Sequence, residues 1–182
     1  MDAPESPITL PYFALQVRTG GEAVFLSYTR PIVDSLGMKL FWPRRSLRIR
    51  RRGKWHDVLA PIFSGYVFLQ APEVGADLYW KLKGAPGFYR FLRNNQDIQP
   101  LPRRDAHILN RLLRYGHVVG KSVAEFDENN RIRILEGPLK GLEGLIVKVD
   151  RRKGRAKVKL DLYDEAHLVD FGFTSLEMTD GG

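Results

Sequence analysis

Between Arg131 and Leu160 apolar and charged residues alternate in three successive runs: Ile132 and Ile134, then Leu145, Val147 and Val149, then Ala156, Val158 and Leu160. A period of two is the pattern of strands that bury one face and solvate the other. Three such strands need two turns. The first break, Glu136-Gly137-Pro138-Leu139-Lys140-Gly141-Leu142-Glu143-Gly144, puts three glycines where the backbone can take positive φ or approach a neighbour closely, and its proline removes a ladder donor. The second, Arg151-Arg152-Lys153-Gly154, reads as a short hairpin loop. The stretch predicts a small curled sheet with basic loops.

With 182 residues, 43% of them hydrophobic, the chain has material for one or two cores. The absence of cysteine excludes disulfides and cysteine-ligated metal sites. The opening Met1-Asp2-Ala3-Pro4-Glu5-Ser6-Pro7 is acidic and proline-broken, unlike a secretory leader, and no apolar run approaches the ~20 residues of a membrane span. The expectation is a soluble, cytoplasmic, monomeric protein.

The formal net charge of +8 is unevenly spread. Residues 131 to 159 carry 10 basic and 3 acidic side chains, whereas 160 to 182 carry no basic and 6 acidic ones. A second basic run, Arg44 to Lys54, holds seven cations and no acid. Basic density of this kind suits phosphate backbones, although a solvated charged face is the common alternative for any single run.

Along the chain, Tyr12 to Val17 reads as a strand, and Glu22 to Leu36 as an amphipathic helix with Val24, Phe25, Tyr28, Ile32 and Leu36 on its apolar stripe and a kink or early break at Pro31. Leu40 to Pro43 is a short strand. Arg44 onward forms a hairpin with its tip at Arg51-Arg52-Gly53-Lys54, and Ile62 to Leu69 is the most strand-like segment of the chain. Pro72 to Lys83 predicts a helix and Phe88 to Leu92 an aromatic strand. Asp105 would cap a helix carrying Ile108, Leu109, Leu112 and Leu113. The non-periodic Tyr115 to Asn130 then reads as a linker. This divides the chain into an α+β domain at 1–114, a linker at 115–127 and a small all-β domain at 128–182.

Nothing in the sequence assembles catalytic chemistry. His56, His107, His117 and His167 are scattered without metal-ligand spacing, Asp164-Glu165 is an adjacent pair suited to a solvated turn, and no Gly-x-x-x-x-Gly-Lys-Ser/Thr loop is present. No enzyme activity, metal or cofactor is expected.

Tyr12-Phe13-Ala14-Leu15-Gln16-Val17, Phe63-Ser64-Gly65-Tyr66-Val67-Phe68-Leu69 and Pro86-Gly87-Phe88 resemble, in order and spacing, the successive motifs of the NusG N-terminal domain, and Ile132 to Leu160 with Glu136-Gly137-Pro138 and Gly141 resembles the KOW motif that follows it. The resemblance implies an antiparallel α+β domain flanked by helices and an SH3-like KOW barrel. It also implies binding to the clamp of transcribing RNA polymerase, centred here on Tyr12, Phe63 and Tyr66, and a partner-docking pair at Leu162 and Tyr163. Two departures matter: the family's Phe-Pro-Gly-Tyr is here Phe63-Ser64-Gly65-Tyr66, and its Phe-Gly-Arg is here Tyr163-Asp164-Glu165. The second replaces a cation by two carboxylates and argues against recruitment of ribosomal protein S10 or Rho.

The basic KOW residues Lys148, Arg151, Arg152, Lys153, Arg155, Lys157 and Lys159 point instead to direct contact with nucleic acid, with Arg50, Arg51 and Arg52 at the hairpin tip as a further contact to upstream or non-template DNA. By this resemblance the chain is a specialised elongation and antitermination factor like LoaP or RfaH, holding polymerase through one domain and an RNA hairpin through the other. The alternative is a general RNA-binding or ribosome-associated KOW protein.

Overall fold

The structure is a computed structural model that describes residues 10–176, so the last residues of the acidic tail, 177–182, lie outside the described residues. The chain divides into two compact units. Among the described residues, the first is built from 10–42 together with Gly65–Ala106, and the second from Pro43–Ser64 together with 107–176.

The first unit is an antiparallel sheet and its helices. Strand β1 (Tyr12–Val17) lies in the middle, between β5 (Tyr66–Gln70) and β6 (Phe88–Phe91), and β2 (Lys39–Phe41) extends the β5 edge. Because strand side chains alternate, the register Ala14↔Phe68 sorts the two faces. Phe13, Leu15, Val17, Val67 and Leu69 join one core with Phe25, Leu26 and Val33 of helix α1 (Glu22–Ser35) and Leu78 and Leu82 of helix α2 (Ala76–Lys83). Each of these side chains, once buried, contributes about 1.5–3 kcal/mol.

Helix α1 forms where expected, but of its expected stripe Phe25 alone is buried. Val24, Tyr28 and Leu36 are exposed, while Glu22, Phe25, Leu26, Thr29 and Val33 face the core. Two overlapping i, i+4 rows run along this helix, and the sheet takes the one carrying Phe25, Leu26 and Val33. Thr29 is accommodated because its hydroxyl donates to the Phe25 carbonyl at 2.8 Å. The helix continues through Pro31. Glu22 is 1% exposed, and its carboxylate accepts the Gly65 N–H at 2.7 Å, tying the start of α1 to the turn before β5. That turn needs glycine: Gly65 has φ +79°, and a Cβ there would stand 2.8 Å from Thr19 Oγ1.

The second unit contains a hairpin and a curled five-stranded sheet. In the hairpin, β3 (Arg44–Arg51) and β4 (Lys54–Pro61) pair down to Arg51↔Lys54. Arg52 and Gly53 both have positive φ, +48° and +79°, the two-residue turn whose twist matches its strands. Strand β7 (Val118–Val119) runs parallel to the start of β3. The curled sheet has the order β10-β11-β12-β8-β9, from β8 (Ser122–Phe126), β9 (Ile132–Glu136), β10 (Ile146–Asp150), β11 (Arg155–Leu162) and β12 (Glu165–Ser175). Ala124, Ile134, Ala156, Val158, Leu160, Val169, Phe171 and Phe173 fill its inside. Thus the architecture is an α+β domain followed by a curled KOW half-barrel, as the sequence implied.

Several local expectations change. Residues 115–127, read as a linker, supply β7 and β8, because Ser122 to Ala124 pair in parallel with Phe173 to Ser175. That partner is some 50 positions away, so the segment's own weak periodicity does not report it. The strand expected over Ile62 to Leu69 begins only at Tyr66, and α2 begins at Ala76 rather than Pro72. Helix α3 (Arg103–Leu113) starts two residues before Asp105, which therefore lies buried in its first turn and is not its cap. Among the described residues no helix is long and apolar enough to cross a membrane.

Candidate nucleic-acid interface

In β11, Ala156, Val158 and Leu160 point inward, so Arg155, Lys157 and Lys159 alternate onto the outer face. The β10–β11 register sets Lys148 directly opposite Lys157, adding a fourth cation. Like charges placed opposite one another repel, and the fold supplies two carboxylates against this. Asp170, opposite Lys157 in β12, lies 3.6 Å from the Lys157 ammonium and 4.0 Å from the Arg155 guanidinium. Asp150 accepts the Lys153 N–H at 3.0 Å, and its other oxygen is 3.6 Å from Lys153 Nζ. The Lys153 backbone hydrogen bond, followed by the charges of Lys153 and Lys148, holds the Asp150 carboxyl below its usual range. Lys148, Asp150, Lys153, Arg155, Lys157 and Asp170 line one shallow depression of about 140 Å³. Four cations and two carboxylates make a patch that remains positive and can accept phosphate oxygens.

The residues expected to bind nucleic acid do not all have the same freedom. Lys148 and Lys159 are exposed and Lys157 half-buried on one surface. Arg152 is exposed in the turn before β11. Arg151 is already engaged: its guanidinium lies 4.0 Å from the Phe126 ring centroid and donates to Asn130 Oδ1 at 2.9 Å. Arg155 donates from Nη2 to the Arg48 carbonyl at 2.7 Å, joining the curled sheet to the hairpin. Arg45 does the same from the other side, donating to the carbonyls of Asp170 and Pro61. Burial brings the Arg45 pKa down to about 10, against the attraction of Asp170 and with a further push from Arg155. Arg50, Arg51 and Arg52 are exposed at the hairpin tip, where Arg50 Nε donates to the Gly53 carbonyl at 3.2 Å.

The expected polymerase anchors are buried. Tyr12 and Tyr66 lie on the sheet face opposite α1 and α2, with Tyr12 edge-on to Phe41 at 5.8 Å. Phe63 is edge-on to His167 of β12, with ring centroids 5.4 Å apart. Leu162 is 2% exposed in the barrel core, while Tyr163 (φ +50°) forms with Asp164 (φ +66°) the two-residue turn from β11 to β12. The residues that sequence reasoning missed are the acids Asp150 and Asp170 and the hairpin residues Arg48 and Trp55. Strand register brings the two acids beside the basic patch, and packing of the hairpin against the curled sheet brings Arg48 and Trp55 there. Among the described residues no group of three or more His, Cys, Asp or Glu could hold a metal ion.

Known proteins agree with this architecture. The family described as "Transcription termination factor nusG" matches residues 10–110, and the KOW motif matches residues 128–160. The NusG transcription termination/antitermination protein of Pasteurella multocida is 30% identical over 70% of this chain and 69% of its own length. That of Campylobacter jejuni is 20% identical over 91% of this chain and 96% of its own. A solved structure of Thermotoga maritima NusG has a TM-score of 0.57 at 18% identity, covering 92% of this chain and 96% of that one. This chain belongs to the NusG family of non-enzymatic transcription termination and antitermination factors.

Proposed function

We propose that this protein is a specialised antitermination factor, of the LoaP and RfaH kind, whose KOW barrel grips the phosphate backbone of a structured RNA in the nascent transcript while the N-terminal domain holds polymerase. The observation that carries this reading is the register of Lys148 opposite Lys157, with Lys159 on the same outer face. Three flexible ammonium groups on one strand pair form a point-charge surface that neutralises phosphates without reading bases. The turn at Tyr163-Asp164-Glu165 carries carboxylates in place of the family's cation, which favours nucleic acid over a protein partner for this barrel. The polymerase anchors in this reading are Tyr12, Phe63 and Tyr66, the positions at which the chain resembles the family's aromatic motifs.

The test is a salt titration of RNA-hairpin binding. Replacing Lys148, Lys157 and Lys159 by Ala lowers affinity and reduces the slope of log K against log salt by about 0.7 to 1 per lost contact. Unchanged affinity and slope refute the reading. Co-purification from cells supplies the second arm: polymerase subunits support the role, whereas ribosomes without polymerase identify a ribosome-associated RNA binder.

A further inference from the structure

Beside the lysine face lies a second cleft. It is lined by Arg48 and Trp55 of the hairpin, Lys121 before β8, Arg152 and Lys153 of the turn before β11, and Phe173 of β12, and encloses about 90 Å³. Its composition differs from that of the lysine patch, since it combines four cations with an indole. Trp55 is a large aromatic that folding leaves 40% exposed. The Arg48 guanidinium sits 5.2 Å from its ring centroid, a cation–π contact that sets a positive charge beside the indole.

Three contacts fix the cleft. Lys121 Nζ is 3.1 Å from Asp57 Oδ1 of β4, Arg155 holds the Arg48 carbonyl, and the Phe173 N–H donates to the Gly154 carbonyl at 2.8 Å. Gly154 is required by this closeness, because a Cβ there would lie 2.7 Å from the Phe173 carbonyl oxygen. An aromatic plane that is partly open, set among cations on a rigid wall, is the arrangement that binds single strands: the ring stacks a base and the cations follow the backbone. A duplex keeps its bases stacked on one another and offers this ring nothing.

We propose that this cleft takes an unpaired nucleotide, its base stacked on Trp55 and its phosphates held by Arg48 and Arg152, so that the chain distinguishes single-stranded from double-stranded nucleic acid. The inference rests on the reading of the barrel as a nucleic-acid binder and adds a site that selects the conformation of the polymer. RNA and DNA share the chemistry, and the test separates them.

Binding of the full chain is measured to an unstructured RNA of about 10 nucleotides, the DNA of the same sequence, and the corresponding duplex. Trp55→Ala weakens single-strand binding about 10-fold, leaves duplex affinity within about 2-fold, and does not alter the salt slope, because no cation is lost. Trp55→Phe keeps a stacking plane and retains most of the affinity, which separates stacking from a general disturbance of the hairpin. Loss on either single strand supports the site and shows which polymer fills it. Equal losses on single strand and duplex, or no loss on either single strand, overturn it. Failure of the lysine-face reading has a different signature: Lys148, Lys157 and Lys159 variants then bind every ligand normally while the Trp55→Ala effect persists.

Discussion

Arg155 Nη2 donates to the main-chain carbonyl of Arg48 at 2.7 Å, joining residues 107 positions apart. A cation that sequence alone assigns to phosphate binding is therefore also a strut between the curled sheet and the hairpin. Its neighbours Lys157 and Lys159 carry no such duty to main chain. Arg155→Ala should cost about 0.5–1.5 kcal/mol of stability, because it removes the hydrogen bond that ties the sheet to the hairpin, whereas Lys159→Ala should stay within about 0.5 kcal/mol. Urea unfolding of the two variants checks the difference.

Asp170 restrains the patch it faces. Asp170→Asn removes the carboxylate 3.6 Å from Lys157 and 4.0 Å from Arg155, making the lysine face more positive. Affinity for an RNA hairpin should rise about 3-fold at low salt and the gain should vanish at high salt, with stability changed by less than about 1 kcal/mol. Anisotropy titrations at two ionic strengths read both effects.

Glu22 is a buried carboxylate with a defined task, accepting the Gly65 N–H. Glu22→Ala leaves that donor unpaired and should destabilise the first unit by about 2 kcal/mol. Glu22→Gln retains an acceptor oxygen and should lose less. Thermal unfolding of both variants compares them.

The glycines of the first break in the KOW stretch are not equivalent. Gly137 has φ +97°, and a Cβ there would lie 2.7 Å from Ser122 Cα, whereas Gly144 has open space around it. Gly137→Ala should destabilise the barrel by at least about 2 kcal/mol, while Gly144→Ala should be near neutral. Chemical denaturation separates the two.

The turn before β11 should keep its shape into acid. Asp150 titrates below the ordinary carboxylate value when folded, so its contribution is fully present above that value and is lost only as pH falls through the lower, folded one. Following the Lys153 amide resonance as pH falls should show the turn intact until Asp150 protonates. Loss of the Lys153 signature already near the unperturbed aspartate pKa would contradict the assigned hydrogen bond.

What the sequence determined by itself is what local physics can specify. The apolar run Tyr12 to Val17 specified a strand, alternation in Ala156 to Leu160 specified a strand and its inner face, and Arg52-Gly53 fixed the hairpin tip, because a two-residue turn with positive φ at both positions needs little outside help. The motifs around Tyr66 and Gly137 carried the family. Tertiary structure decided everything that depends on a distant partner. The stripe of α1 that is buried was chosen by the sheet, which took Phe25 and Val33 in preference to Val24 and Tyr28. Residues 122–124 became strand because β12 offered an edge. The basic patch acquired Asp170 through β11–β12 register, and the cleft acquired Trp55 through the packing of a hairpin that ends some 60 residues before the barrel's first strand begins. Register and packing are set by the burial of the whole core, so no local window of sequence contains them.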